Sequence, residues 1–373
     1  MSKLFSPLAL RGLTLRNRTV VAPMCQYSAV DGIANDWHFV HLGRFGLGGF
    51  GLVIAEATGV LPEGRISYGD LGLWKDEQIA PLARIVEFLH AQGAAAGIQL
   101  AHAGRKASTP VSWRGPEDLA TAEQRRAAGY EHWQPVAPSA ESHDPGNADY
   151  QVPTELDRAG IARVVEGFVA AARRAERAGF DTVEIHAAHG YLLNQFLSPL
   201  ANHRTDAYGG NLENRMRLPL EVVEAVRAVW PQDKPLLVRL SVSDNAPGGW
   251  SVEDSVALAR ELKARGVDAL DCSSGGFAQG SIVSAASYQV PFARAVRQGA
   301  GIPTMAVGLL GDIAAAEAVL ENGDADLIAL ARGALDDPNW AVHAARVLDG
   351  DYALWPVQTQ RVLGRDRILG IRG

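Results

Sequence analysis

The amino-acid sequence predicts a single (β/α)₈ barrel formed by all 373 residues. Short apolar runs alternate with longer amphipathic stretches, and this alternation occurs eight times without a long break. Several of the amphipathic stretches are followed directly by glycine, as helices often are. Eight strand-helix alternations favour one closed barrel over an open sheet.

The predicted strands are short runs of aliphatic and β-branched residues, which are typical of strands buried on both faces. They occupy 19–22, 52–55, 96–100, 182–186, 236–240, 269–272, 304–307 and 327–330. The stretches with helical periodicity lie at 37–47, 77–92, 156–178, 212–229, 252–265, 291–298, 313–321 and 340–348. The glycines expected to end helices in a left-handed conformation are Gly93, Gly179, Gly266 and Gly323.

Composition limits the classes of function. The chain is 47% hydrophobic and 21% charged, which is typical of a soluble protein with a large core. A formal net charge of -7, without a basic stripe, argues against a nucleic-acid partner. Two cysteines far apart, Cys25 and Cys272, cannot form a disulfide framework, and they fit a reducing cytoplasm. Because its first residues form no apolar signal segment and it has no apolar run long enough to cross a membrane, the protein is expected to be neither exported nor embedded in a membrane.

The ends of the predicted strands carry the candidate chemistry, because active sites of such barrels lie at the carboxyl ends of the strands. These positions are unusually polar, and in strand order they are 23–27, 56–58, 99–106, His186 with His189, Arg239 with Ser241, 273–276, Gly308, and Ala331 with Arg332. The last two strand ends form the usual phosphate site of a barrel, so a phosphorylated ligand is expected.

Segment 183–192 is the most informative, because an apolar run ends in His186, His189 and Tyr191. Two imidazoles and a phenol at this spacing can hold one polarised oxygen and deliver a proton to a neighbouring atom. The same residues are also compatible with a metal half-site or with two histidines on a helix surface. The segment alone leaves these alternatives open.

A sequence of the form GxGxxG occurs at 46–51, but its context differs from that of a dinucleotide-binding motif. Such a motif follows a strand and begins a helix, whereas this one precedes the strand at 52–55. It predicts a helix end and a turn. A nicotinamide cofactor is therefore not expected to use a Rossmann domain.

Long motifs in order resemble the old yellow enzymes, and among them the thermophilic-like bacterial ene-reductases. The motifs are Asn17-Arg18 with 22–27, then 102–106, then 183–192 continuing through 197–199 to 202–210. The resemblance covers nearly the whole chain. It implies FMN bound non-covalently at the barrel mouth, and reduction of the activated C=C bond of α,β-unsaturated carbonyl or nitro compounds by NADPH or NADH in a ping-pong mechanism.

The resemblance also implies roles for individual residues toward FMN. Contacts to the flavin ring are implied for Pro23, Met24 and Ala57. Gln99 would bind the pyrimidine edge, and Arg239 would face N1 and O2, where reduced flavin carries negative charge. Cys25 would lie beside flavin and substrate and tune the redox potential. The phosphate would be held by Gly308, Ala331 and Arg332, although the family usually has Gly-Arg where this chain has Ala331-Arg332.

For the reaction, the resemblance implies that His186 and His189 donate hydrogen bonds to the substrate carbonyl oxygen. Tyr191 would deliver the proton to the α-carbon, and Tyr27 would line the substrate pocket. Packing with a satisfied hydroxyl is the alternative for either tyrosine. No catalytic role is assigned to Lys106 or His102, because exposed charges at a barrel mouth are often only solvated.

Two further segments lie outside the repeated pattern. The stretch 109–154 is a long loop after the third strand, and its aromatic residues Trp113, Tyr130, His132 and Trp133 are candidates to cap the substrate. The C-terminal extension, 350–373, resembles the family segment in which an arginine reaches a neighbouring subunit's substrate site, and Arg361 is the matching position. A homodimer or homotetramer is therefore expected.

Two other classes of function remain at this stage. A metal-dependent hydrolase would use His186 and His189 as ligands, but it would need carboxylates or further histidines at other strand ends, where Arg239 and Arg332 are found. A catalytically inactive protein that binds flavin or phosphate is the other. We expect no bound metal, and a small molecule as the substrate.

Overall fold

The computed structural model describes residues 1–111, 113, 132–277, 280 and 284–360. Within this part of the chain, parallel strands close into an eight-stranded barrel, which confirms the predicted (β/α)₈ fold. The strands in chain order are β1 (Leu8–Leu10), β2 (Leu13–Leu15), β3 (Thr19–Val21), β4 (Leu52–Gly59), β5 (Ala95–Ala101), β6 (Val136–Ala137), β7 (Thr154–Glu155), β8 (Thr182–Ala187), β9 (Leu236–Ser241), β10 (Ala269–Ser273), β11 (Thr304–Val307) and β12 (Leu327–Leu330).

The barrel contains β3, β4, β5 and β8 to β12, and neighbours in the barrel follow one another along the chain. All its pairings are parallel. The barrel closes where β12 pairs with β3, in the register Ile328 with Thr19 and Leu330 with Val21. Since all strands point the same way, the polar residues that follow them meet at one end of the barrel.

The α-helices lie at Asp36–Leu47, Ile79–Ala91, Arg158–Arg177, Leu192–Leu197, Leu212–Val229, Val252–Ala264, Val290–Ala300, Ile313–Glu321, Arg332–Asp336 and Trp340–Asp349. The short helices Leu192–Leu197 and Arg332–Asp336 were not predicted. The predicted glycine ends are confirmed, because Gly93, Gly179, Gly266 and Gly323 all have positive φ angles, of 75°, 90°, 86° and 70°. No helix in the described ranges is both long enough and apolar enough to cross a membrane.

The amino end of the barrel is filled by apolar side chains. Leu52, Leu237 and Leu327 stand near the starts of their strands and are buried in the barrel interior. The antiparallel hairpin of β1 and β2, which the sequence analysis missed, packs Leu10 and Leu15 into the same cluster. With this end closed, the barrel interior can be reached by a ligand from the carboxyl end of the strands.

The segment 46–51 joins a helix to a strand, as its context predicted. Gly48 ends the helix Asp36–Leu47, and Gly49 has a φ of 88°. A Cβ on Gly51 would come within 2.4 Å of the Asn17 carbonyl oxygen. These glycines therefore serve a tight turn that packs on the N-terminal segment.

We predict that Leu237→Ala lowers the free energy of unfolding by about 2–5 kcal/mol, because it leaves a cavity in the barrel interior. Val347 is 54% exposed on the last described helix, so Val347→Ala should change stability by less than about 0.5 kcal/mol. Denaturant unfolding of the flavin-free protein measures both. Equal effects of the two variants would contradict the assignment of Leu237 to the barrel core.

Candidate active site

The residues predicted at the strand ends come together at one barrel mouth. His186 on β8 pairs in register with Arg239 on β9, and Arg239 with Asp271 on β10. Ala57 on β4 pairs with Gln99 on β5, just after a β-bulge at Glu56. Inward-facing side chains from neighbouring strands thus form one polar layer above the apolar interior.

His186 and His189 form a perpendicular pair with ring centroids 5.1 Å apart. The Ala188 backbone N–H donates to His186 Nδ1 at 3.3 Å, so the proton of this imidazole lies on Nε2. Burial, with the charges of Arg239 and Lys106 adding to it, holds the pKa of both histidines well below the usual range. Both imidazoles are therefore neutral and able to donate one hydrogen bond.

The contact with Ser273 orients the His189 ring. His189 Nε2 lies 2.7 Å from the Ser273 hydroxyl, which is also 3.3 Å from Gln289 Oε1, an acceptor shared with Ser274. Where Ser273 donates its one proton to Nε2, the His189 proton lies on Nδ1 and can be donated to a ligand.

The turn that carries His189 depends on a close backbone approach. His189 and Gly190 have φ angles of 59° and 70°. A Cβ on Gly276 would lie 2.0 Å from the His189 carbonyl carbon, so the end of β10 must have glycine there. Ser241 joins the two segments, because its hydroxyl accepts from the His189 N–H at 2.8 Å and donates to the Gly275 carbonyl at 2.6 Å.

Tyr191 lies against His186, with ring centroids 4.9 Å apart. Burial raises the pKa of its phenol well above the usual value, with Cys25 and Asp70 adding to the effect. Tyr191 is therefore protonated over the physiological pH range.

Lys106 corrects the interpretation made from the sequence, which treated it as a solvated charge. Its ammonium group donates to the carbonyls of His189 and Gly276 at 3.0 and 3.4 Å and lies 4.9 Å from the Tyr191 ring centre. Burial, and then Arg105, lowers the Lys106 pKa to about 8. His102, the other residue set aside, is only 1% exposed and is not a solvated group either.

Cys25 and Tyr27 stand on the segment after β3, next to two buried carboxyl groups. Burial raises the pKa of the Cys25 thiol, and Asp70 and Glu56 raise it further. Burial is also the main cause of the raised pKa values of Tyr27, Glu56 and Asp70, the last reaching about 7. Cys25 is thus a neutral thiol in a desolvated, partly acidic environment, and Asp70 is a neighbour that the sequence analysis missed.

A cavity of about 360 Å³ runs from Arg239 at the barrel mouth to the ends of β11 and β12. Its lining is Arg239, Ser273, Tyr288, Gln289, 307–311 and 329–333. Gly308 has a φ of 112°, and a Cβ there would lie 2.9 Å from Gln289 Nε2. Backbone amides next to Arg332 suit an anion such as a phosphate group. The predicted residues Gly308, Ala331 and Arg332 are therefore brought together.

The described part of the long loop places further aromatic residues near the site. Trp133 donates its indole N–H to the Glu63 carbonyl at 2.8 Å, and Trp113 donates to the Gln26 carbonyl at 3.3 Å. In addition, Tyr150 acts electrostatically on Tyr191, and His143 packs on Tyr150 at 4.7 Å. The predicted positions Tyr130 and Arg361 lie outside the described residues.

Comparison with known proteins agrees with this geometry. Residues 3–350 match the model of the NADH:flavin oxidoreductase / NADH oxidase family. The chain belongs to this family. It is 47% identical over 360 residues to the NADPH dehydrogenase of Geobacillus thermodenitrificans, covering 96% of this chain and 98% of the relative. It is also 47% identical over 363 residues to the NADPH dehydrogenase of Listeria monocytogenes serotype 4a, covering 97% and 99%.

Solved structures of family members share the barrel. Morphinone reductase superposes with a TM-score of 0.76 at 31% identity, covering 95% of this chain and 93% of that one. The old yellow enzyme homologue from Zymomonas mobilis gives 0.74 at 26% identity, covering 96% and 97%. The resemblance to the old yellow enzymes is confirmed. The protein is an NAD(P)H oxidoreductase with FMN as its cofactor.

We predict that Gly308→Ala weakens FMN binding by about tenfold or more, since the strained backbone and the crowded Cβ distort the cavity wall. Gly350→Ala is the matched control, because Gly350 has a φ of 64° and a Cβ there would meet nothing within 4 Å. Titration of the flavin-free protein with FMN, followed by fluorescence quenching, gives both affinities. Equal losses in the two variants would show that backbone strain alone acts, and that Gly308 does not shape the site.

Proposed function

We propose that this family member is an ene-reductase, which reduces the activated C=C bond of α,β-unsaturated carbonyl or nitro compounds with NADPH or NADH in a ping-pong reaction. The observation that carries the proposal is the pair of neutral, hydrogen-donating imidazoles of His186 and His189 beside the protonated phenol of Tyr191. These groups match a reaction in which a carbonyl oxygen gains charge while a neighbouring carbon gains a proton.

The cavity at the ends of β11 and β12 and the segment after β3 together would hold FMN. Its phosphate would lie at Gly308, Ala331 and Arg332, and its ring over Pro23, Met24 and Ala57. Gln99 and Arg239 would then face the pyrimidine edge, with Cys25 beside the ring. When bound, FMN would supply the hydride for the β-carbon of the alkene, with the nicotinamide as the source of that hydride. The relative morphinone reductase has been solved with tetrahydroNAD, which supports a nicotinamide donor here.

The protein groups would act on the other atoms of the substrate. His186 through Nε2 and His189 through Nδ1 donate to the carbonyl oxygen, so that negative charge can develop there as the β-carbon accepts hydride. The proton of the Tyr191 hydroxyl goes to the α-carbon and completes the reduction. Tyr27 lines the pocket for the alkene. The ammonium group of Lys106 lies 4.9 Å from the centre of the Tyr191 ring and helps to hold this ring in place by a cation–π contact.

The alternatives left open by the sequence agree less well with the site. The charges of Arg239 and Lys106 act on both histidines, and two cations so close oppose binding of a metal ion to the pair. A binding protein without activity would not need two imidazoles that are each held by a separate contact. Anaerobic mixing decides among these functions: NADPH should bleach the flavin, and an enone should restore its colour.

The assembly and the location stay predictions. A homodimer or homotetramer rests on the likeness of 350–373 to the family's inter-subunit segment, in which Arg361 would reach the neighbouring substrate site. A cytoplasmic location rests on the two distant cysteines.

Replacing both His186 and His189 by alanine should slow flavin reoxidation by 2-cyclohexenone by roughly two to four decades, since two oxyanion donors are lost. Stopped-flow absorbance measures this step. FMN affinity and reoxidation by a one-electron acceptor should survive, and His90→Ala, a change at a partly exposed histidine paired with Asp181, should have no effect. Unchanged enone reoxidation in the double variant would refute the carbonyl clamp.

Tyr191→Phe should leave phenolic ligands bound nearly as in the wild type while slowing enone reduction, because only the proton donor is lost. Since the pKa of Tyr191 is raised, the wild-type reduction rate should show no loss from tyrosine ionisation between pH 6 and 9. Tyr150→Phe serves as the control for removing a nearby phenol. A wild-type rate in Tyr191→Phe would assign the proton to another group.

A further inference from the structure

Four polar side chains, called the polar layer below, lie together inside the barrel beside the two histidines. They come from four neighbouring strands: Gln99, Glu184, Arg239 and Asp271. Their exposed fractions are 2%, 0%, 7% and 0%. The apolar interior begins next to them at Leu237, which pairs in register with Glu184. Burying one cation and two carboxyl groups in such a place is costly unless the charges are balanced.

The contacts divide the layer into two linked pairs. Gln99 Nε2 donates to Glu184 Oε1 at 2.7 Å. Arg239 Nε lies 3.0 Å from Asp271 Oδ2 in an ion pair. Among the described residues, Glu184 Oε2 and both Asp271 oxygens are buried without a well-directed hydrogen bond. The layer therefore has spare acceptor capacity and one cation for two acids.

One proton balances these charges. Arg239 faces the two acids from β9, Gln99 on β5 is uncharged, and His186, above Glu184 on β8, is neutral. Burial and the neighbouring Asp271 raise the Glu184 pKa to about 8, against the opposing effect of Arg239. Burial also raises the pKa of Asp271. With one proton on the two carboxyl groups, the layer is neutral at physiological pH.

We propose that Glu184 and Asp271 share one proton and act as positioning residues, which hold Gln99 and Arg239 toward the pyrimidine edge of the flavin. The proposal rests on the placement of FMN given above. Since the Gln99 amide nitrogen donates to Glu184, its oxygen is left to accept from the ring N–H of the flavin. Asp271 holds the Arg239 side chain in place. Because Glu184 is neutral, Arg239 faces one negative charge and not two.

The pH dependence has a defined sign. The folded-state pKa of Glu184 lies above that of an ordinary glutamate. At pH values between these two pKa values, the folded protein therefore binds more protons than the unfolded chain. The stability contributed by this group is complete at acidic pH and is lost as pH rises through about 8. Above that pH, a second anion beside Arg239 opposes the negative charge of reduced flavin.

Glu184→Gln tests the proposal, because an amide copies the neutral acid and cannot ionise. At pH 6.5 this variant should bind FMN within about threefold of the wild type. Between pH 6.5 and 9.5, wild-type FMN affinity should fall by about tenfold, and its midpoint potential should fall more steeply with pH, whereas the variant lacks both effects. Glu317→Gln is the control, since Glu317 binds the backbone of Lys3 and Leu4 away from the layer.

Two measurements do not depend on flavin, so failure of the FMN placement can be separated from failure of this proposal. Thermal unfolding of the flavin-free wild type should weaken from pH 6.5 to 9.5 more than that of Glu184→Gln. Infrared difference spectra between these pH values should show a protonated carboxyl band in the wild type, which is lost in Glu184→Gln. Identical pH profiles in wild type and variant, or weak FMN binding by the variant already at pH 6.5, would overturn the shared proton.

Discussion

Closure of the barrel between β12 and β3 is the constraint on which the site depends. The pairing of Leu330 with Val21, continued by the bond from the Ala22 N–H to the Leu330 carbonyl at 2.9 Å, joins the last strand to the first. It brings the segment after residue 22 next to the anion site at 331–333, although some 300 residues separate them. The residues proposed to contact the flavin ring and the proposed phosphate site become neighbours only through this contact.

Desolvation determines the protonation states of the side chains at the barrel mouth. Burial is the first cause of the low pKa values of His186 and His189 and of the high pKa values of Tyr191 and Cys25. Each group is therefore neutral while still carrying a proton that it can donate. Arg239 and Lys106 are the cations in this environment, and the ion pair with Asp271 limits how much of the Arg239 charge a ligand meets.

The sequence predicted the strands well because buried parallel strands are continuous apolar runs, and it predicted the strand-end residues because the fold collects them at one end. The sequence did not predict the environment of Lys106, because the carbonyls that accept its hydrogen bonds, those of His189 and Gly276, lie far away in the chain. It also missed the hairpin of β1 and β2, since strands of three residues have too little pattern to be recognised. The sequence did contain a signal for the role of Glu184, namely a charged residue inside the apolar run of a buried strand.

Strand β8 shows why the proposed roles of Glu184 and His186 depend on each other. Side chains along a strand alternate between its two faces, so Glu184 and His186 both point into the barrel while Val183 and Ile185 pack against the outer helices. The carboxyl group lies one layer below the imidazole, beside Gln99, and the imidazole lies at the level of Tyr191. A register slip of one residue would turn both side chains out of the barrel interior and toward the outer helices. The same pairing with β5 and β9 that positions the proposed substrate clamp thus also positions the acid beneath the proposed flavin site.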